Sequence, residues 1–357
     1  MKYPRPPYLA EGIPVKEYGS VFAKSKIMIP QLEYPIDVRE NFKRAYTRNN
    51  PVWVPNTMTD MCNVMNSVLT GAPEADWSRK DRYDWTDWFG VEWTFVPDAG
   101  GPMLKPGTQF LDDITKWESR VKFPDLNAYD IKGCCETWLK EKYEPGKILH
   151  VNIGQGCTER LVALLGGYTD AMVALAVEPE AVKDFLEAFV DFTIKFFDKL
   201  YEYLPIDMIT YHDDWGTERD TFFSERMMEE IVYDPTKRLF DHFKSKDLCL
   251  EHHCCGRIER FLPYMVEQGA DFLQIQARAN NIKMLKEKYG DKIGFNVMVQ
   301  ADSENIEDVQ ANVRKVVDTY GKGGGLYSGV MGGTPKAVWD TVMELFAYSR
   351  EYYEENN

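Results

Sequence analysis

The sequence is short of several things, and each shortage excludes something. No run approaches the roughly 18 apolar residues of a membrane span. Residues 1–10 are rich in proline and tyrosine with no apolar core, so they do not read as a secretory signal. Basic residues are few: Lys+Arg 42 against Asp+Glu 57 give a formal charge of −15. Such a field repels phosphate backbones and anionic lipid, so neither nucleic acid nor a membrane is an expected partner. Seven cysteines in 357 residues are too few for a disulfide scaffold, and the odd number suits reduced thiols in the cytoplasm. Also missing are a G-x-S-x-G nucleophile elbow, a P-loop and a dinucleotide-binding glycine fingerprint after a strand. No internal repeat, low-complexity tract or domain linker divides the chain.

What is present supports a large core: 44% hydrophobic and 13% aromatic residues exclude a disordered chain. The length suits one α/β barrel. Short apolar runs at 147–155, 207–215, 248–255, 271–276, 293–299 and 326–330 read as strands, with a further one at 52–54. Between them lie helical patterns at 158–165, 170–177, 178–201, 224–233, 235–244, 257–268, 282–289, 305–320 and 335–353. Residues 182, 185, 186, 189 and 190, apolar at spacings of three and four, mark the amphipathic face of the long helix. Strands alternating with helices predict a parallel sheet, and hence one TIM (β/α)8 barrel over residues 1–357. An eighth strand must then hide in 60–145, an aromatic, loop-rich insertion or lid that holds Trp77, Trp85, Trp88, Trp93 and Trp117. Residues 1–50 form an N-terminal extension with a helix.

Side chains alternate along a strand, so each strand's parity sorts its residues. Ile209 and Tyr211 face outer helices, leaving Thr210, His212 and Asp214 inward. His150, Asn152 and Gly154 point in, as do Phe272, Gln274 and Gln276, while Asn296, Met298 and Gln300 share a face. The polar members gather toward the C-terminal strand ends, where barrels of this kind place their active sites.

Two of the five histidines and three of the seven cysteines fall within 249–255. Here Cys249, Glu251, His253 and Cys255 share one parity and Leu250, His252 and Cys254 the other. His253 and Cys255 lie about 6.6 Å apart along the strand, within reach of one ion. Glu251, one step deeper, is a further ligand or orients His253. A closed four-cysteine site lacks its second pair, so a metal here would be open and catalytic. The competing reading is a buried cysteine-rich strand with a core histidine. His212 and Asp214 are the candidates for general base or proton handling. Gly323–Gly325 and Gly332–Gly333 read as turns, and Cys134-Cys135 as helix packing.

Several of these pieces resemble the uroporphyrinogen decarboxylase superfamily: HDDWGT at 212–217, D-P-x-x-R at 234–238, H-x-C-G at 253–256 with the following RIERFLPYMVEQGAD, and KEKYGDKIGF at 286–295. Weaker matches lie at 48–55, 158–167 and 177–182. The resemblance implies a TIM barrel. The decarboxylase branch carries an arginine-rich segment that grips substrate carboxylates, and the matching stretch at 54–63 contains no arginine. The other branch comprises cobalamin-dependent methyltransferases, in which H-x-C and a later cysteine bind zinc. His253 and Cys255 match the first two, whereas no cysteine follows Cys255. Glu251, Asp214, His212 or Cys254 must complete such a site.

The resemblance thus implies a zinc-assisted methyltransferase. It would move a methyl group from a small methylated donor to the Co(I) cobalamin (corrinoid) of a partner protein. The aromatic residues at 85–95 favour a methoxylated aromatic donor. Trp93, Asn152, Gln274, Asn296 and Tyr327 are the expected substrate contacts; a homodimer is left open. The alternatives are a metal-free decarboxylase using Asp213 or Asp214, and a non-catalytic relative that binds a small molecule.

Overall fold

Seven strands run parallel, side by side in chain order: β1 (Met61–Val64), β2 (Ile148–Ile153), β3 (Met208–His212), β4 (Cys249–Cys254), β5 (Phe272–Ile275), β6 (Gly294–Asn296) and β7 (Leu326–Tyr327). They belong to a computed structural model that describes residues 2–18, 27–64, 67–70, 79, 81–99 and 101–356; Trp77 lies outside these. The curled sheet with helices between its strands is a TIM barrel. β1 is the strand expected within 60–145.

Residues 52–54, expected as a strand, are not one; they lead into the closing segment. Ser328 N donates to Pro55 O and Thr57 N to Ser328 O, both at 2.9 Å, in a parallel bridge between Asn56 and Ser328. From this segment to β1 the link is Asp60, 1% exposed. Its carboxylate accepts from Trp53 Nε1 (2.9 Å), Asn56 N (3.1 Å), Tyr34 OH (2.8 Å) and Thr59 Oγ1 (2.8 Å). Its own carbonyl receives Ile148 N at 2.9 Å.

The helix Val38–Thr47 plugs the barrel floor. Asp37 caps it by accepting from Arg39 N and Glu40 N, and Val38, Asn41, Phe42 and Ala45 face inward. Phe42 meets the rings of Phe272 and Tyr327, while Met61, Ile148, Met208 and Cys249 fill the rest of that layer. Outside the sheet, the helix Pro179–Tyr203 buries Phe185, Phe189, Phe192, Phe196 and Phe197. Each such ring contributes on the order of 1.5–3 kcal/mol.

Two expectations of element boundaries are corrected. The helices at 224–233 and 235–244 are one continuous run, Glu225–Met227, a π turn over Met228–Val232, then Tyr233–Lys244. Pro235 has no N–H to give the carbonyl four residues back, and the wider turn just before it absorbs the misfit. The strands at 293–299 and 326–330 each break in two, with Val299–Gln300 and Val330–Met331 pairing separately. At the break Val297 N still donates to Tyr327 O at 3.2 Å, while Ser328 Oγ donates to the Val297 carbonyl at 2.6 Å.

The aromatic segment holds a three-stranded antiparallel sheet, Tyr83–Thr86, Glu92–Val96 and Gly101–Leu104. Asp87 secures it by accepting from Phe89 N, Val91 N and Trp93 Nε1 at 2.9–3.0 Å, and from Arg160 of the helix Cys157–Leu164 at 2.6 Å. Both side chains of that ion pair are 1% exposed. A second antiparallel pair joins Val15–Tyr18 to Ile27–Pro30. Among the described residues no single helix is long and apolar enough to cross a membrane.

Candidate metal and catalytic site

Polar side chains tie one strand to the next across the barrel interior. Asn63 Oδ1 and His150 Nδ1 are 2.7 Å apart, His150 Nε2 and Thr210 Oγ1 2.7 Å. Thr210 Oγ1 donates to Glu251 Oε1 at 2.9 Å, Tyr327 OH donates to Glu251 Oε2, and Asn296 Nδ2 donates to Tyr327 OH at 2.7 Å. The chain of contacts therefore touches β1, β2, β3, β4, β6 and β7. Burial pushes Glu251 up to about 7, its three hydrogen-bond donors pulling the other way. Burial alone pulls His150 down to about 4.

Toward the C-terminal strand ends stands a second group. His212 from β3 and His253 from β4 are paired in register and their rings are stacked. His212 Nδ1 lies 2.8 Å from Glu159 Oε2, and His253 Nδ1 lies 2.5 Å from Gln274 Oε1. Each ring thus has its Nδ1 held by an oxygen, leaving Nε2 as the nitrogen open to a ligand. His253 Nε2 is 3.4 Å from Cys255 Sγ and 3.8 Å from Asp214 Oδ1. One ligand atom from each of His212, Asp214 and His253 lies within 4.8 Å of the others.

The local sequence explains the placement. Beyond β3 and β4 the chain turns at Gly216 and Gly256, which press together. A Cβ on Gly256 would lie 2.1 Å from the Gly216 carbonyl, and its φ of +83° suits glycine in any case. Arg257 N donates to Thr217 O at 2.6 Å, and Asp214 Oδ1 accepts from Cys255 N at 2.6 Å. The two strand ends are therefore bolted to each other, holding Asp214 against Cys255.

Electrostatics sort the group. Burial pulls His212 down, but the Glu159 carboxylate, with Asp214 and Asp213 adding, carries it up to about 9. Burial, then the charge of His212, takes His253 down to about 4. Burial and Asp214 lift the Cys255 thiol to about 12, so without a cation beside it the thiol keeps its proton.

The structure brings His212, Asp214, His253, Cys255 and Gln274 together. Glu251 stands apart, one layer deeper, with both oxygens engaged by Thr210 and Tyr327. Asn296 and Tyr327 belong to that deeper layer as well. Asn152 is lumen-facing on β2, next to Thr210 in register. Trp93 stacks on Trp85 in the antiparallel sheet and spends its N–H on Asp87, with no contact to the histidine pair. His252 faces the other way, fully buried among Tyr211, Trp215 and Phe240, and burial drives it down to about 3. Asp213 caps the helix Cys157–Leu164 from outside its own segment, accepting from Thr158 N, Thr158 Oγ1, Glu159 N and Trp215 Nε1.

Sequence reasoning missed Glu159 and Tyr168. Glu159 sits in the first turn of the helix after β2, and an acid directly beyond a barrel strand was the available signal. Tyr168 opens the helix Tyr168–Val177 and stacks on Phe222 at 4.3 Å. Burial raises its pKa, and Glu159, Asp214 and Cys255 add to the rise.

The uroporphyrinogen decarboxylase (URO-D) family model matches residues 86–347, well over half of the chain. Among solved structures, a methyltransferase from Methanosarcina mazei is similar in fold, with a TM-score of 0.53 at 12% identity over 74% of this chain and 76% of that one. A D-psicose 3-epimerase solved with D-fructose reaches a TM-score of 0.35 at 15% identity, over 64% of this chain and 84% of that one. No curated protein matches the chain.

Proposed function

The chain belongs to the uroporphyrinogen decarboxylase family, and from that premise we propose that it is a methyltransferase. It takes a methyl group from a small methylated donor and passes it to the Co(I) corrinoid of a separate protein, with zinc held at the strand ends. The observation that carries this reading is the set His212, Asp214, His253 and Cys255 on adjoining strands.

The donor set fits zinc. His253, with its other nitrogen fixed by Gln274, Asp214 and His212 each offer a ligand atom within 4.8 Å of the others, and Cys255 offers sulfur 3.4 Å from His253 Nε2. A bound zinc ion supplies Lewis acidity toward the atom that the methyl group leaves. In the metal-free protein Glu159 keeps the His212 imidazole cationic up to about pH 9, which makes His212 the proton holder of the site before a metal ion is bound. Glu251 keeps its place beneath, holding Tyr327 and Thr210. Gln274 and the amides of Asn152 and Asn296 line the space the donor enters.

Two features weigh against decarboxylation of a polyanionic tetrapyrrole. The stretch 54–63 contains no arginine and is spent on the barrel seam through Asp60. Asp213 is committed to capping a helix. The deciding experiment mixes the protein with free cob(I)alamin and methylated donors and follows the Co(I) absorbance. Conversion to methylcobalamin that is lost in His253→Ala supports the proposal. Activity indifferent to chelator and to His253→Ala would favour the metal-free lyase instead.

A further inference from the structure

We infer that the floor of the barrel binds a small doubly charged oxyanion, such as inorganic phosphate, between Arg48 and Lys286. The site lies where β6 and β7 begin, at the opposite end of the strands from His212 and His253, and it is independent of the reaction proposed above.

Arg48 ends the plug helix Val38–Thr47 in the left-handed conformation, with φ +58°. Its Nε donates to Gly290 O at 3.1 Å and its Nη1 to Tyr46 O at 2.9 Å, while Nη2 is buried and has no partner. Lys286, on the helix Ile282–Tyr289, donates through Nζ to Gly324 O at 2.6 Å. Among the described residues neither cation is in an ion pair. The buried guanidinium groups of Arg5 and Arg160, by contrast, each meet a carboxylate, Glu344 and Asp87.

The charges around the pair do not fill that gap. The neighbouring charge that acts on Lys286 is Arg48, another cation, and burial, then Arg48, pulls the lysine down to about 8. Asp271, Asp291 and Cys249 act on Arg48. Of these, Asp271 is spent on Lys244 and Leu250 N, Asp291 is exposed, and burial keeps the Cys249 thiol protonated. Helix ends supply part of the balance, since Val38–Thr47 and Ile282–Tyr289 both finish here and each end carries about half a negative charge. Two full positive charges still stand in excess of that.

Geometry brings the two cations onto one spot. A Cβ on Gly325, whose φ is +66°, would lie 3.2 Å from Lys286 Nζ and 3.5 Å from Arg48 Nε, with Gly294 Cα at 3.4 Å. Glycine at this turn therefore keeps side-chain atoms out of the space the two nitrogens share. An oxyanion reaching both, with hydrogen bonds of about 2.7–2.9 Å, fits that spacing. The N–H groups of Nη2 and the remaining ones of Nζ have no protein acceptor, and an oxyanion offers several. A metal cation or a neutral guest matches neither the charge nor the donors. Bound there, the anion fastens the plug helix to the helix Ile282–Tyr289 and to the turn entering β7, on the barrel face that serves stability.

Thermal unfolding of the full chain, titrated with sodium phosphate against sodium chloride at matched ionic strength, tests the inference. Phosphate should raise the Tm saturably, as a ligand of the native state does. Calorimetry should give a Kd that rises at least about tenfold in Lys286→Met and in Arg48→Met. A rise that does not saturate, or that is equal in the parent and both variants, is the general effect of an excluded salt and overturns the inference. The absence of any rise overturns it as well. Should one variant fail to fold, the other decides.

Discussion

The imidazoles of His212 and His253 lie face to face, ring centroids 4.0 Å apart and planes 13° from parallel, and their protonation is driven in opposite directions. Two stacked rings cannot both carry charge cheaply, and Glu159 decides which one does. His212 is held cationic to about pH 9, and His253 stays neutral down to about pH 4. The neutral ring faces Cys255 and Asp214, where a metal ligand is wanted.

This split has a signature in pH. In metal-free protein, imidazole NMR should show one of the pair titrating near 9 and the other near 4. Glu159→Gln should bring the higher value down by at least about one unit. The stabilising contribution of His212 is fully present below its unfolded value of about 6.5 and is lost as pH climbs through about 9. That of His253 runs the other way: its neutral form is favoured, so stability falls as pH drops from about 6.5 through about 4. A Glu159→Gln protein that keeps the high titration would refute the assignment.

Zinc content distinguishes the ligands. His253→Ala and Asp214→Ala should each abolish stoichiometric zinc in protein purified with the metal. Gln274→Ala, which frees the His253 ring, should weaken affinity by about 10- to 100-fold. Glu251→Gln should retain zinc, because its carboxylate is already bound to Thr210 and Tyr327. Loss of zinc on that substitution would return Glu251 to the ligand set.

The Asp87–Arg160 pair is fully buried, so breaking it strands a charge. Asp87→Asn should destabilise by about 3–5 kcal/mol in urea unfolding, and should loosen the antiparallel sheet first, seen as increased Trp93 quenching. A change under about 1 kcal/mol would mean that the pair is solvated.

Gly256→Ala puts a methyl group where the Gly216 carbonyl already stands and asks a residue with a side chain to hold φ near +83°. The expected cost is at least about 1–3 kcal/mol from backbone strain alone, accompanied by weaker zinc retention, since Cys255 is the neighbouring residue. Full stability and full metal content together would show that the two turns can part without disturbing the site.

Much of this was legible because strand periodicity is a strong signal. Parity alone sent His212, Asp214, His253 and Cys255 to one side of the barrel and His252 to the other, as the structure has them. Parity put Glu251 one step deeper on the face of His253, but it does not report that both its oxygens are spent on Thr210 and Tyr327. Nor does it report what comes from a helix, which is why Glu159 went unread. The hairpin sheet at 83–104 stayed hidden for another reason. Its strands mix charged and aromatic residues, and they are tied to the barrel through Asp87, whose reach across to Arg160 has no local trace. The π turn before Pro235 likewise needed coordinates, because proline in a helical pattern ordinarily announces an end.

The Asp60 junction gives the barrel a property that continuous hydrogen-bonded ladders do not have. Elsewhere around the ring, separating two strands means breaking a ladder of backbone bonds together; between β7 and residues 55–57 it means breaking two, Ser328 N to Pro55 O and Thr57 N to Ser328 O, with the Asp60 carboxylate holding that segment in place. The cylinder is in effect an arc with a clasp. Amide protons bordering the clasp, at Asn56, Thr57 and Ser328, should exchange with deuterium ahead of those of β3 and β4, and Asp60→Asn should speed them selectively. Breathing would then enter the ring on the side farthest from His212 and His253, leaving their mutual geometry undisturbed while the opposite wall yields.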